Sequence, residues 1–234
     1  MCSENSRGFF ITGTDTGVGK SEVAAALCAL FAEKGFEVHP RKPVESGCLI
    51  EHQGEALFPQ DGHTLQIASQ SKDSLAEITP FRFSQPISPE RAARLSGEHV
   101  SLQQLVNCCQ PPMQSENSIR VVEGAGGFYS PIAEQLLNAD LASTLNLPVI
   151  LVAEDRLGGI NQVLLTRSAI LEKGLQLKCI ILNNRLNTTT FNIKELENWV
   201  QEPLITLPII QHHKRPWQVM KESLEPLFFK NASD

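Results

Sequence analysis

Phe9-Phe10-Ile11-Thr12-Gly13-Thr14-Asp15-Thr16-Gly17-Val18-Gly19-Lys20-Ser21 runs from an apolar segment through three glycines into residues with helical spacing. A strand, a glycine-rich loop and a helix in that order can cradle phosphate. Backbone N–H groups of Gly17, Val18 and Gly19 can point at phosphate oxygens, helped by the positive end of the helix that starts near Lys20. Lys20 supplies a point charge, and the Ser21 hydroxyl can ligate a magnesium ion shared with the phosphates. A strict G-x-x-x-x-G-K-[ST] pattern places glycine at 14, where this chain has Thr14, with Gly13 one place earlier. The alternative is a glycine-rich turn without a ligand, so the nucleotide reading needs support from the rest of the chain.

The pattern downstream is an alternation of strands and helices. Ser21 to Lys34 carries Val23, Leu27, Leu30 and Phe31 at helical spacing, with Gly35 as a stop. A short second strand is expected over residues 36–44, followed by an exposed polar loop from Glu45 to Pro59 and a short helix over 61–71. Ser88-Pro89 resembles a helix start, and helices are expected at 89–96 and 101–109. Ser118 to Glu123 reads as a strand that delivers its last residue into Gly124-Ala125-Gly126-Gly127. A helix at 139–145, strands at 148–153 and 177–182, and a helix from Gly159 to Lys173 follow. A helix over 191–200, a strand over 204–207 and a helix near 216–228 complete the order. The continuous apolar run Val149-Ile150-Leu151-Val152-Ala153 suits the centre of a parallel sheet. We expect one α/β domain over residues 1–234, a doubly wound and mostly parallel sheet with helices on both faces, with ligands beyond the carboxyl ends of its strands.

Composition narrows the function classes. The net charge of −6 gives no encouragement to nucleic acid or anionic lipid as a partner, since both reward clustered Lys and Arg. No apolar run approaches the length that crosses a bilayer, and the first residues carry no signal-peptide segment, so a cytoplasmic location is expected. Six cysteines form no C-x-x-C pair and read as reduced thiols. The six histidines make no zinc-like set, and His212-His213 fall in an expected loop.

In a parallel sheet the loops after the strands gather on one edge, and their residues suit a magnesium nucleotide. Glu123 ends its strand before a glycine cluster, where a carboxylate either ligates magnesium or is simply solvated. Asp61 either adds a second carboxylate or caps a helix before Thr64. Lys42, just past the second strand, either stabilises a transferring phosphoryl group or lies in solvent. Asn183 can pair with a base edge through its amide or occupy a turn.

Gly13 to Ser21, Lys42-Pro43-Val44-Glu45-Ser46-Gly47 and Val122-Glu123-Gly124-Ala125-Gly126-Gly127 together resemble the dethiobiotin synthetase family. The likeness extends to Gly159-Ile160-Asn161, Asn183-Asn184 and Leu207-Pro208-Ile209, in the family's order. The spacing from Gly13 to Gly19 is that family's form of the phosphate loop. The resemblance implies a P-loop NTPase-like fold and an ATP- and magnesium-dependent cyclo-ligase. Its reaction closes the ureido ring of dethiobiotin from 7,8-diaminononanoate and carbon dioxide, or bicarbonate as its source, through a carbamate and a carbamic-phosphoric mixed anhydride.

By motif match, the resemblance assigns Lys20 and Lys42 to catalysis and Ser21, Asp61 and Glu123 to the metal. It brings Gly17, Val18, Gly19, Lys20, Ser21, Glu22, Asp61, Glu123, Gly124, Ala125, Gly126, Asn183, Asn184, Leu207, Pro208 and Ile209 to ATP. Thr16, Lys42, Ser46 and Asn161 are implied for the substrate, with Asn161 reaching from the partner chain of a homodimer. Glu45 stands at a variable place of its motif, and Ser21 replaces the commoner threonine while keeping the hydroxyl. The rival class is a nucleotide-gated interaction ATPase of the partitioning or cell-division type, which shares Gly-Val-Gly-Lys-[ST]. Those proteins carry a signature lysine where this chain has Asp15.

Overall fold

Residues 7–50, 56–111, 115–184, 192–210 and 215–229 are described in a computed structural model of the chain. Cys2 and the pair His212-His213 lie outside the described residues. Six strands form one sheet: β1 (Gly8–Gly13), β2 (Glu37–Arg41), β3 (Ser118–Gly127), β4 (Val149–Glu154), β5 (Leu177–Asn183) and β6 (Leu204–Leu207). Their spatial order is β6-β5-β4-β1-β3-β2, and every pairing between them is parallel. All six carboxyl ends therefore share one edge, and the chain changes sides of β1 between β3 and β4.

Successive strand residues point to opposite faces, so a run that is apolar throughout needs cover on both sides. Ile11, Val121, Ile150, Val152 and Ile181 join one buried cluster with α1 (Lys20–Glu33), α2 (Gln60–Ser69) and α7 (Trp217–Phe228). Phe10, Val122, Leu151, Ile180 and Leu182 join the other with α3 (Pro89–Ser96), α4 (Leu102–Cys108), α5 (Asn138–Leu145) and α6 (Gly159–Glu172). This is the expected doubly wound arrangement. Among the described residues no helix is long and apolar enough to cross a membrane. Cys28, Cys48, Cys108, Cys109 and Cys179 are free thiols.

Helix α1 is the central packing element of its face. Ala24, Ala25 and Ala26 are fully buried, and their small side chains let the helix lie close to the sheet and its neighbours. Gly19 caps its start at φ 96°, and Gly35 at φ 84° closes its end with an N–H bond to the Ala32 carbonyl.

Three local expectations change. β3 does not stop at Glu123 but runs to Gly127, because pairing with β1 resumes at Gly13 opposite Gly127 after a register shift. The segment expected as an exposed loop contains Val44–Ser46, paired in parallel with Phe81–Phe83, and a hairpin of Leu49–Ile50 with Leu57–Phe58. Its polar letters suggested solvent, yet Glu45 is buried through bonds made elsewhere in the chain. The strand Phe81–Phe83 lies between Pro80 and Pro86. The helix expected over 191–200 is one turn, Ile193–Leu196, with Leu196 as its single buried side chain.

Leu27 of α1 is wholly buried in the cluster that joins this helix to the sheet. Leu27→Ala is expected to cost about 2–5 kcal/mol of unfolding free energy, read as a lower urea midpoint at unchanged slope.

Candidate active site

The loop between β1 and α1 folds back over the sheet edge through its own backbone. Thr14 donates its N–H to the Val152 carbonyl at 3.0 Å, and Phe128 donates to the Gly13 carbonyl at 3.2 Å. Gly17 and Gly19 both take positive φ, at 78° and 96°. A Cβ on Gly19 would lie 2.1 Å from Asn183 Nδ2, so glycine is required there by contact as well as by conformation. Asn183, buried at the end of β5, donates that amide to the Val18 carbonyl at 3.1 Å. It thereby ties the loop to the strand two places across the sheet.

Beside the loop lies a cleft of about 340 Å3, lined by Thr16, Gly17, Gly19, Lys20, Ser21, Glu22, Lys42, Val44, Glu45, Ser46, Asp61, Glu123, Ala125 and Gly126. At its floor Lys42 stands between two carboxylates. Its Nζ donates to Glu123 Oε1 at 2.5 Å and to the Gly124 carbonyl at 3.4 Å, and lies 3.1 Å from Asp61 Oδ2. Ser21 Oγ donates to the same Glu123 Oε1 at 2.8 Å. Glu123 is completely buried, and its Oε2 has no hydrogen-bond partner among the described residues. Lys20 Nζ donates to the Asp15 carbonyl at 2.9 Å.

Burial sets the protonation of this cluster, and the neighbouring charges modify it. Burial depresses Lys20 to a pKa of about 8, with the nearby Lys42 ammonium acting in the same direction. Burial also works against a charged Lys42, but Glu123 and Asp61 outweigh it and hold the ammonium above its ordinary pKa. Asp61 is likewise penalised by burial, yet Lys42, the Ser21 hydroxyl and Lys20 keep its carboxyl below the usual range. For Glu45, burial and the Asp61 charge push the carboxyl up to about 7.

A second polar device shapes the glycine-rich end of β3. Asn138, fully buried at the start of α5, accepts the Ala125 N–H at 3.0 Å through Oδ1 and donates Nδ2 to the carbonyls of Ala125 and Gly127. A Cβ on Gly124 would meet Asn138 Oδ1 at 2.8 Å.

The structure thus gathers Thr16, Gly17, Gly19, Lys20, Ser21, Glu22, Lys42, Ser46, Asp61, Glu123, Ala125 and Gly126 at one cleft. Val18 and Gly124 join it through backbone contacts with Asn183 and Lys42. Asn183 and Asn184 end β5, where Asn183 is level with Leu207 of β6, and Pro208 and Ile209 follow exposed at the same sheet edge. Asn161 is exposed on α6 and does not line the cleft. Asp61 is not a cap for its helix: Pro59 precedes α2, and Asp61 sits inside the first turn. Reading by motif missed Glu45 and Asn138. A carboxylate between apolar Val44 and a glycine-bearing turn was the available sign for Glu45, whereas nothing near Asn138 in sequence distinguishes it from a surface amide.

A family model described as an AAA domain matches residues 7–213. A protein of Anaeromyxobacter dehalogenans named as an ATP-dependent dethiobiotin synthetase is 41% identical over 177 residues, 76% of each chain. Another so named, from Baumannia cicadellinicola, is 39% identical over 202 residues, covering 84% of this chain and 88% of that one. Among solved structures, the septum site-determining protein MinD of Pyrococcus horikoshii, complexed with Mg-ADP, superposes with a TM-score of 0.58 at 14% identity. The match covers 95% of this chain and 96% of that one. At that identity the likeness speaks for the fold alone.

The depressed Lys20 has a measurable consequence. The unfolded chain retains this proton up to the ordinary value of 10.5 while the folded one loses it near 8, so the penalty Lys20 places on folding fades as pH rises across that window. Bound phosphate oxygens would restore the ammonium. ADP binding at pH 8 is therefore expected to take up roughly half a proton, seen as a calorimetric enthalpy that differs between Hepes and Tris. Lys20→Met should abolish the buffer dependence.

Proposed function

This chain belongs to the ATP-dependent dethiobiotin synthetase family, and from that membership we propose how the cleft carries out the synthesis. The protein is an ATP-dependent cyclo-ligase of biotin biosynthesis. The observation that supports the site assignment best is Lys42, held between Asp61 and Glu123 beside a phosphate loop.

One amine of 7,8-diaminononanoate adds to carbon dioxide and loses a proton to give a carbamate. A carbamate oxygen then attacks the γ-phosphorus of ATP, and ADP leaves with the electrons of the broken P–O bond. The second amine attacks the carbamate carbon, phosphate departs, and the ureido ring closes. None of these steps needs a protein nucleophile, so the chain's part is placement and charge stabilisation. Lys20 and Lys42 face the oxygens on which negative charge is spread, with Thr16 and Ser46 on the wall where the diamine would lie. The backbone around Gly17 to Glu22 and Gly124 to Gly126 receives the phosphates. Asn183, Asn184 and the Leu207-Pro208-Ile209 segment serve the adenine side.

Ser21, Asp61 and Glu123 are the residues that would hold magnesium. The fit rests on chemistry: all three offer hard oxygen donors, and the orphaned Glu123 Oε2 is a buried acceptor that such a cation would satisfy. When bound, magnesium would neutralise charge on the β- and γ-phosphates. The chain acts as one catalytic unit and pairs as a homodimer. Leu157 and Leu165 are 88% and 64% exposed around Asn161, an apolar face suited to a second copy that brings Asn161 to its partner's substrate.

Purified protein incubated with diaminononanoate, bicarbonate, magnesium and ATP is expected to yield ADP and dethiobiotin in equal amounts. Absence of both products from folded protein would overturn the assignment. Lys42→Gln should reduce turnover on the order of 10²–10³-fold and also destabilise the fold by about 3–5 kcal/mol, because Glu123 is left buried without its cation. The double change Lys42→Gln with Glu123→Gln should recover much of the stability and none of the turnover, separating the two roles of the lysine.

A further inference from the structure

Helix α2 carries Asp61 to the cleft, yet its start has no local cap. The residue before it is Pro59, which has no side-chain acceptor, and the side-chain bond within the first turn, Thr64 Oγ1 to the Gln60 carbonyl at 2.9 Å, satisfies none of its N–H groups. The exposed N–H groups are met from a different part of the chain. Glu45 Oε1 accepts the Asp61 N–H and Glu45 Oε2 accepts the Gly62 N–H, both at 3.0 Å. Glu45 itself is only 6% exposed and sits on the short strand Val44–Ser46, three residues after Lys42.

The carboxylate is thus a bracket between the two halves of the site. One arm of the chain holds Lys42, whose own N–H is anchored on the Ile78 carbonyl at 2.8 Å. The other holds Asp61, and the neighbouring Gly62 packs so close to Thr79 that an added Cβ would come within 2.2 Å of its hydroxyl. A serine or aspartate at position 59 would satisfy the same helix end locally, but it would not fix the helix relative to Lys42. Placing a second carboxylate near Asp61 carries an electrostatic cost that a purely structural cap would avoid.

We propose that Glu45 is a positioning residue: its two backbone bonds to the start of α2 set the Asp61 carboxylate where it can serve as a cation ligand. The inference rests on the reading of Asp61 as such a ligand. Its effect is expected on cation affinity more than on nucleotide contacts, because Glu45 touches neither the phosphate loop nor Glu123 through any hydrogen bond described.

The test uses Mn2+ as the probe, titrated by electron paramagnetic resonance against the full chain with ADP present. Glu45→Ala should weaken Mn2+ binding by about tenfold, the lower end of what loss of a supporting shell causes. It should raise the magnesium concentration for half-maximal turnover by the same factor, and leave metal-free ADP affinity unchanged. Glu45→Gln, isosteric but with one acceptor in place of two, should fall between Glu45→Ala and the wild type. If Glu45→Ala does not fold, Glu45→Gln decides alone. Wild-type Mn2+ affinity in either folded variant would overturn the proposal, as would an Asp61→Asn protein that binds Mn2+ normally. The titration needs no diamine, so a wild-type protein that forms no dethiobiotin would remove the assigned reaction without touching this result.

Discussion

An ammonium and a wholly buried carboxylate 2.5 Å apart, Lys42 and Glu123, constrain everything built around them. Taking two such charges out of water is unfavourable by several kcal/mol each, so the surroundings must return that energy as close, well-directed contacts. The sheet does so by its topology. β2 and β3 are adjacent and parallel, which brings the residue following one strand beside a carboxylate carried within the other. Ser21 at the start of α1 and Asp61 in the first turn of α2 then approach from the covering helices. The sheet and the helices that cover one of its faces converge on this ion pair. The cluster keeps Lys42 charged even as burial and Lys42 draw Lys20 down toward neutrality.

The same sheet supports unlike purposes. MinD shares the architecture closely enough to superpose over 95% of this chain at 14% identity. A parallel sheet with a glycine loop after its first strand is a fold, and a fold does not by itself say what chemistry happens at that loop. In this chain the strand ends carry a lysine after β2, a carboxylate in β3 followed by glycines, and a second carboxylate delivered by α2. Lys20 at the start of α1 and Lys42 just after β2 line the same cleft.

Much of this was readable in order. The phosphate loop, the helix after it, the central strands and the succession of glycine-bearing strand ends follow from local rules of period, capping and turn chemistry. Where reading failed, the missing information was nonlocal. Glu45 looked like a loop residue at a variable place because its partners, Asp61 and Gly62, are sixteen and seventeen positions away. β3 was expected to deliver Glu123 as its last residue into the glycine cluster, but pairing of Gly127 with Gly13 carries the strand onward. Asn138, which pins Ala125 and Gly127, carries no mark in sequence at all. Asn183 also has a partner that its letter does not announce, the Val18 carbonyl, to which it donates one Nδ2 hydrogen.

From the chain of letters alone come the doubly wound class, the phosphate cradle and the family, because apolar period, glycine position and motif order are properties of short segments and survive without knowledge of contacts. Only the tertiary structure decides that Lys42 bridges Asp61 and Glu123, that Glu123 is fully enclosed, and that Glu45 brackets α2. Those facts depend on desolvation and on distances between residues remote in sequence, and both arise when the sheet closes and water leaves the cleft floor.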